Sequence, residues 1–232
     1  MAWFRSVWGT PQGGPLSPLL ANVLLDEVDK ELERRGHSFV RYADDANVYV
    51  RSRRAGKRVM ALLLKLYGRL RLKVNEAKSA VASVFQRKFL GYSFWVAPGV
   101  KIRRRVSDKP IATFKQRVRR LTSRSGGCSL EEVVRKLRVY VLGWKAYFRL
   151  AQTPRVWQEL DKWMRHRVRA IQLKYWKQAN TIYSELLARK ASADVAAQVA
   201  GNSRRWWRNS GMLLNSVLNL AWADRLGIPR LC

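Results

Sequence analysis

Cysteine is almost missing from this chain. Only Cys128 and Cys232 occur in 232 residues, far apart and in no CxxC pair. That excludes a cysteine-rich zinc module, argues against a disulfide framework, and fits a reducing compartment. The two histidines, His37 and His166, stand alone and read as surface or packing residues rather than ligands. Acid is scarce as well: 16 Asp+Glu face 46 Lys+Arg, a net charge of +30. No apolar run reaches the ~18 residues that span a bilayer. The start "MAWFRSVWGT" lacks the pattern of a secretory leader, so no membrane association is expected.

What is present is a foldable and strongly basic chain. At 47% hydrophobic it can bury a core and is not a disordered tail. So large a positive excess points to a polyanionic partner. The charge is lopsided: residues 1–92 hold 17 basic and 8 acidic side chains, the remainder 29 and 8, and seven of the ten tryptophans follow residue 140. Two functional parts are expected.

Periodicity gives the elements. After the Gly/Pro-rich "GTPQGGP", Ser17 reads as an N-cap and Pro18 as the first helical residue. Leu16, Leu19, Leu20, Val23, Leu24 and Val28 recur at helical spacing and Gly36 closes the helix. A hairpin follows around Asp44 and Asp45. Val59, Leu62, Leu63, Leu66, Tyr67 and Leu70 mark a second amphipathic helix. The alternation Leu70, Leu72, Val74, the runs "VASVF" and "FLGYSFWV", and "VKIRRRV" after Pro98-Gly99 are strand candidates. Beyond Pro110 the pattern is helical: Ser129 and Glu132 form a capping box, and Thr153-Pro154 starts a further helix. Shorter helices are expected over Ile182–Arg189 and Gly211–Asp224.

The paired aspartates in "VRYADDANVYV" need explaining. Adjacent carboxylates repel and stay ionised at modest cost only beside positive charge. A metal ion is one source; a tight turn that happens to use Asp is the plain alternative. Their neighbours bear on the choice. "TPQGGPLSPLLAN" lies upstream, "LKVNEAKS" and then "FLGYSF" downstream. In order and spacing these resemble motifs B, C, D and E of a reverse transcriptase palm, in wording nearest the group II intron reverse transcriptase/maturase family. "LTSRSGGCSLEEVVRKLRVYVLGWKAYFRL", "LDKWMRHRVRAIQLKYWKQ" and "NSRRWWRNS" are similar to that family's maturase-specific domain.

The resemblance implies an α+β partial polymerase palm, a small antiparallel sheet with two helices over residues 1–106, followed by an all-α thumb and maturase-specific domain over residues 107–232. It implies that Asp44 ligates Mg²⁺ (or Mn²⁺) with Asp45 assisting, since Mg²⁺ leans on one or two carboxylates plus substrate phosphates. Tyr42 and Ala43 would line the primer end. Gln12, Gly13 and Gly14 would approach the template base and incoming nucleotide. Lys78 would stabilise the triphosphate, its alternative being a solvated lysine. Leu90, Gly91 and Tyr92 in "FLGYSF" would form the primer grip, a role compatible with a plain core strand.

The family's palm also uses a motif A aspartate well upstream of motif B, and the eight residues before "GTPQGG" contain no Asp or Glu. The expectation is an N-terminally truncated member, inactive as a polymerase alone, with weak metal affinity and an RNA template and DNA primer engaged only if another chain supplies fingers and palm. The basic C-terminal part does not share that defect. Between Lys101 and Arg124 there are ten basic residues and one acid. Arg103, Arg104, Arg105, Arg117, Arg119 and Arg120, then Arg165, Arg167, Arg169, Lys174 and Lys177 on a later helix, are expected to contact phosphates of structured intron RNA, with most tryptophans in the core. The expected function is that of a group II intron-encoded reverse transcriptase/maturase that binds intron RNA and assists splicing, in the cytoplasm with RNA or nucleoid. The alternatives are an RNA-binding protein without polymerase activity, or an inactive gene remnant.

Overall fold

The computed structural model describes residues 15–211 and 213–232. The chain forms two compact units, divided between Phe89 and Leu90.

In the first unit, α1 (Ser17–Arg34) has Pro in its first turn and Leu16, rather than the expected Ser17, at the N-cap position, where no side-chain cap forms. It ends where Gly36 turns to φ +68°, a conformation glycine adopts without penalty. Strands β1 (Ser38–Tyr42) and β2 (Asp45–Tyr49) form an antiparallel hairpin in the register Phe39↔Val48 and Tyr42↔Asp45. Helix α2 (Arg53–Arg69) is capped by Ser52, whose side chain accepts from the Ala55 amide. Leu25, Val28 and Leu32 of α1 and Leu66 of α2 make the core, with Phe39, Val48, Leu62, Leu63 and Tyr67 packed around them.

Three sequence expectations are corrected here. The apolar stripe assigned to α1 is buried only at Val28: Leu16, Leu19, Leu20, Val23 and Leu24 are exposed, Val23 to 67%, because the helix is apolar around most of its circumference. The alternation at Leu70–Val74 is not a strand. The α2 helix unwinds there, with Leu72 donating back to the Tyr67 carbonyl and Arg71 at φ +57°. "VASVF" is irregular with one 3-10 turn at Val84–Gln86. Val81 lies against the glycine face of α2 instead: a Cβ on Gly56 would stand 2.5 Å from its Cγ1. A two-residue strand, β3 (Lys88–Phe89), ends the unit.

The second unit opens with a hairpin of β4 (Tyr92–Ala97) and β5 (Lys101–Val106), in the register Ser93↔Arg105, Phe94↔Arg104 and Trp95↔Arg103. "FLGYSFWV" is therefore a turn at Leu90–Gly91 followed by a strand rather than one continuous strand. The rest is helical: α3 (Asp108–Leu121), α4 (Leu130–Tyr147), α5 (Pro154–Trp176), α6 (Ala179–Ala188), α7 (Ala193–Gly201), α8 (Trp206–Gly211), α9 (Leu214–Val217) and α10 (Leu220–Arg225). The helix expected over 211–224 is thus broken, and Asn219 caps its last piece through the Trp222 amide. Ser129 caps α4 by accepting from the Glu132 amide, but the Glu132 carboxylate goes to Arg135 and Lys136, so only half of a capping box forms.

One core joins these helices, with Phe114, Leu137, Val141, Met164, Val168, Ile171 and Leu186 at its centre. An aromatic column runs along one side of it. Trp144 meets Phe114 at 4.5 Å, Phe148 at 4.8 Å and Trp157 at 5.3 Å between ring centroids. Small antiparallel pairings with two helices, then a helical region, are the architecture the sequence led one to expect. Among the described residues no helix is long and apolar enough to cross a membrane.

Candidate functional site

The β1–β2 turn has two residues, Ala43 and Asp44, flanked by the paired Tyr42 and Asp45. Ala43 takes φ +53°, in the left-handed region, and Asp44 does not. A positive φ at the first turn position alone is the demand of a type II′ hairpin, where glycine is usual. The strain is held by one side chain. Arg41 donates from Nη1 to the Ala43 carbonyl at 3.1 Å and to Asn22 Oδ1 at 2.9 Å. Its Nε and Nη2 hold the Asp29 carboxylate at 2.9 and 2.5 Å. These hydrogen bonds, and burial acting against them, leave the guanidinium more basic than usual. The turn is thus tied to the middle of α1, and Asp44 and Asp45 project from it exposed to solvent.

Two adjacent exposed carboxylates on a rigid hairpin suit an oxygen-loving divalent cation that keeps most of its water. Among the described residues no third acidic, histidine or cysteine side chain joins them. Tyr42 and Ala43 are exposed beside the pair. Lys78 is exposed in a turn closed by its own amide on Asn75 Oδ1 at 3.2 Å. Gln12, Gly13 and Gly14 lie outside the described residues.

Leu90, Gly91 and Tyr92 form a clamped turn in the second unit. Leu90 and Gly91 take φ +50° and +79°. The Gly91 carbonyl accepts from both the amide and the hydroxyl of Ser107 at 2.8 Å. A Cβ on Gly91 would stand 3.1 Å from the Phe148 ring and 3.2 Å from Pro110, so this position needs glycine on both counts. The Tyr92 hydroxyl donates to the Tyr147 carbonyl at 2.6 Å, and Tyr147 returns a bond to the Leu90 carbonyl at 3.2 Å. Burial raises the Tyr92 pKa.

Most of the expected phosphate contacts are on the surface. Arg103, Arg104 and Arg105 are exposed on β5, as are Arg117, Arg119 and Arg120 on α3 and Lys177 at the end of α5. Three members of the α5 set are committed elsewhere. Arg169 is 4% exposed and donates to the Ser210 carbonyl at 2.6 Å, the Leu218 carbonyl at 3.3 Å and Asn215 Oδ1 at 3.1 Å. Burial, with Arg165 nearby, pushes its pKa down to about 10. Arg167 spans to Thr122 Oγ1 at 2.6 Å and to the carbonyls of Arg119 and Thr122. Lys174 donates to the Arg124 carbonyl. Arg165 remains on the face of α5, half-buried and with no ion pair among the described residues.

Sequence reading missed the cation–aromatic stacks. Arg124 lies 4.1 Å from the Trp206 ring, and Arg119 and Arg167 each 5.6 Å from that of Trp163. His166 stacks on Trp207 at 3.8 Å and bonds its carbonyl at 2.8 Å. Burial lowers the His166 pKa. It also missed Arg41, although the residue sits three positions before Asp44.

The comparisons fall on the same two parts. Residues 3–94 match the family of reverse transcriptases (RNA-dependent DNA polymerases). Residues 111–190 match the group II intron maturase-specific domain. A comparison with curated proteins finds no match. A match to the reverse transcriptase family that carries the paired aspartates, followed by a match to the maturase-specific domain, is consistent with a group II intron-encoded reverse transcriptase/maturase.

Proposed function

We propose that this chain binds structured group II intron RNA through its second unit and assists the folding of that RNA for splicing. The observation that supports it best is the charge of that unit: 29 basic against 8 acidic residues from Leu90 onward. The exposed arginines of β5 and α3 are its richest stretch. Neutralising phosphates releases counterions, so such a surface binds RNA strongly and in a salt-dependent way. Rigid backing by the helical core favours recognition of a folded RNA over wrapping by a flexible tail.

The first unit would serve polymerase chemistry. Asp44 and Asp45 would hold Mg²⁺, which supplies charge stabilisation for attack of a primer 3′-hydroxyl on an α-phosphate. Arg41 keeps the turn in place, Tyr42 and Ala43 offer the surface beside the primer end, and Lys78 adds positive charge for a triphosphate. The Leu90–Tyr92 turn would grip the primer.

Filter retention of a folded group II intron RNA by the purified chain tests the main reading. Retention that survives excess unrelated structured RNA is expected; retention no better than for that competitor would refute it.

A further inference from the structure

A groove of about 890 Å³ runs along the outer face of α5, within the second unit. Its volume falls in the range of ligand clefts, roughly 300–1,000 Å³. It is lined by Lys162, Trp163, Arg165 and His166 of α5 and by Asn215, Asn219 and Ala221 from the chain after α8. Lys162, Arg165 and Arg169 follow at helical spacing, so three cations share this face. Arg169, buried, also lines the groove, and among the described residues its partners are neutral: two carbonyls and an amide oxygen. A buried cation without a counter-ion is costly, and an anion seated above it would offset that cost. The carboxylates near this face do not fill the role. Asp224, close to Arg165, is taken by Arg230, and Glu159, which also lines the groove, lies ten residues before Arg169 on α5. Meanwhile Trp163 and His166 add flat apolar surface, His166 being held in place by its stack on Trp207.

We propose that this groove seats an unpaired nucleotide of the RNA partner, its phosphate between Lys162 and Arg165 above Arg169 and its base along Trp163 and His166. Cationic walls with ring surfaces are the general means of holding single-stranded RNA. The inference rests on the RNA-binding reading above and adds a defined subsite to it. Arg169 and Arg167 then act from behind, bracing α5 rather than reaching the phosphate.

Fluorescence anisotropy of the full chain with a labelled 12-nucleotide oligouridylate tests it. Replacing both Lys162 and Arg165 by Ala should weaken binding by about tenfold or more. Removing two phosphate contacts to a single strand should also flatten the log–log salt slope by about 1.4. Ala221→Trp, an exposed position that fills the groove without changing charge, should weaken binding with the thermal melt unchanged, which separates occupancy from misfolding. If Ala221→Trp and the double variant bind like wild type while loss of Arg103, Arg104 and Arg105 impairs binding, the groove is refuted and the RNA-binding reading stands. If wild type does not bind RNA at all, both fall. A 12-base-pair RNA duplex that competes better than the single strand would refute recognition of an unpaired base.

Discussion

Arg41 and Asp29 form a forked ion pair, with three N–H···O contacts between 2.5 and 2.9 Å, that joins the aspartate hairpin to helix α1. Both side chains are largely covered, at 13% and 21% exposure, and the same guanidinium reaches the Ala43 carbonyl at the turn. Loss of one partner leaves a half-buried charge alone. Arg41→Ala should therefore lower stability by about 2 kcal/mol, below the range for fully buried pairs because this one is still partly wet. Arg41→Lys should fall between, since it keeps the charge but loses the fork. Denaturant melts followed by amide exchange at Ala43 check this; an unaltered melt for Arg41→Ala would contradict it.

At the turn itself, Asp44→Asn should weaken Mn²⁺ binding by about tenfold or more, because one unit charge beside a divalent ion is removed. The hairpin should stay intact, as Asp44 is exposed and Asn is tolerated in turns. Titration monitored by the electron paramagnetic resonance of free Mn²⁺ reads the difference. Coincident titrations for the two proteins would mean that the pair holds no metal.

Gly56 offers a test of sign. Within a helix, Gly→Ala ordinarily gains about 1 kcal/mol. Here the new Cβ would stand 2.5 Å from Val81 Cγ1 and 3.5 Å from Val50 Cγ2, and overpacking costs about 1–3 kcal/mol. Net destabilisation by about 1 kcal/mol is expected in chemical melts. A stabilised Gly56→Ala would show that the Val81 segment does not pack on α2.

Acid sensitivity at the start of α4 has a defined source. Hydrogen bonds from Arg135 and Lys136 hold the Glu132 carboxyl down from its ordinary 4.5 to about 2. A folded pKa below the unfolded one means that this contribution is whole above about pH 4.5 and is lost as pH falls toward about 2. The group is exposed, so the effect is small. Between pH 5 and 2.5 (both approximate) the melting temperature of Glu132→Gln should fall slightly less than that of wild type; an equal or larger fall would contradict the assignment.

How much of this was legible in the residues differs from place to place. The helices of the second unit were readable because residues such as Leu130, Val133, Val134 and Leu137 repeat on one face, and these four are buried. The α1 helix was readable but its buried face was not: apolar residues lie almost all round it, and only the position of α2 and the hairpin selects Leu25, Val28 and Leu32. Alternation at Leu70–Val74 misled because a helix terminus followed by irregular chain produces the same short pattern as a strand. The aspartate turn was legible from its neighbours in sequence. Its anchor was not, because Arg41 is one of 46 basic residues and only the fold brings it to Asp29 and Asn22. For the same reason Arg169 looked like a phosphate ligand: helical spacing gives a face, while burial under Ser210 and Leu218 depends on chain more than forty residues away.

The central claim is that the basic surface of the second unit is an RNA-docking face, and the salt dependence of its binding to folded intron RNA measures that most directly. With about six phosphates neutralised, affinity should drop by roughly a thousandfold between 50 and 200 mM salt. Replacing the exposed Arg103, Arg104 and Arg105 together by Ala should flatten the log–log slope by about 2 to 3 while leaving the melt in place. A slope that the triple variant leaves untouched would contradict the claim.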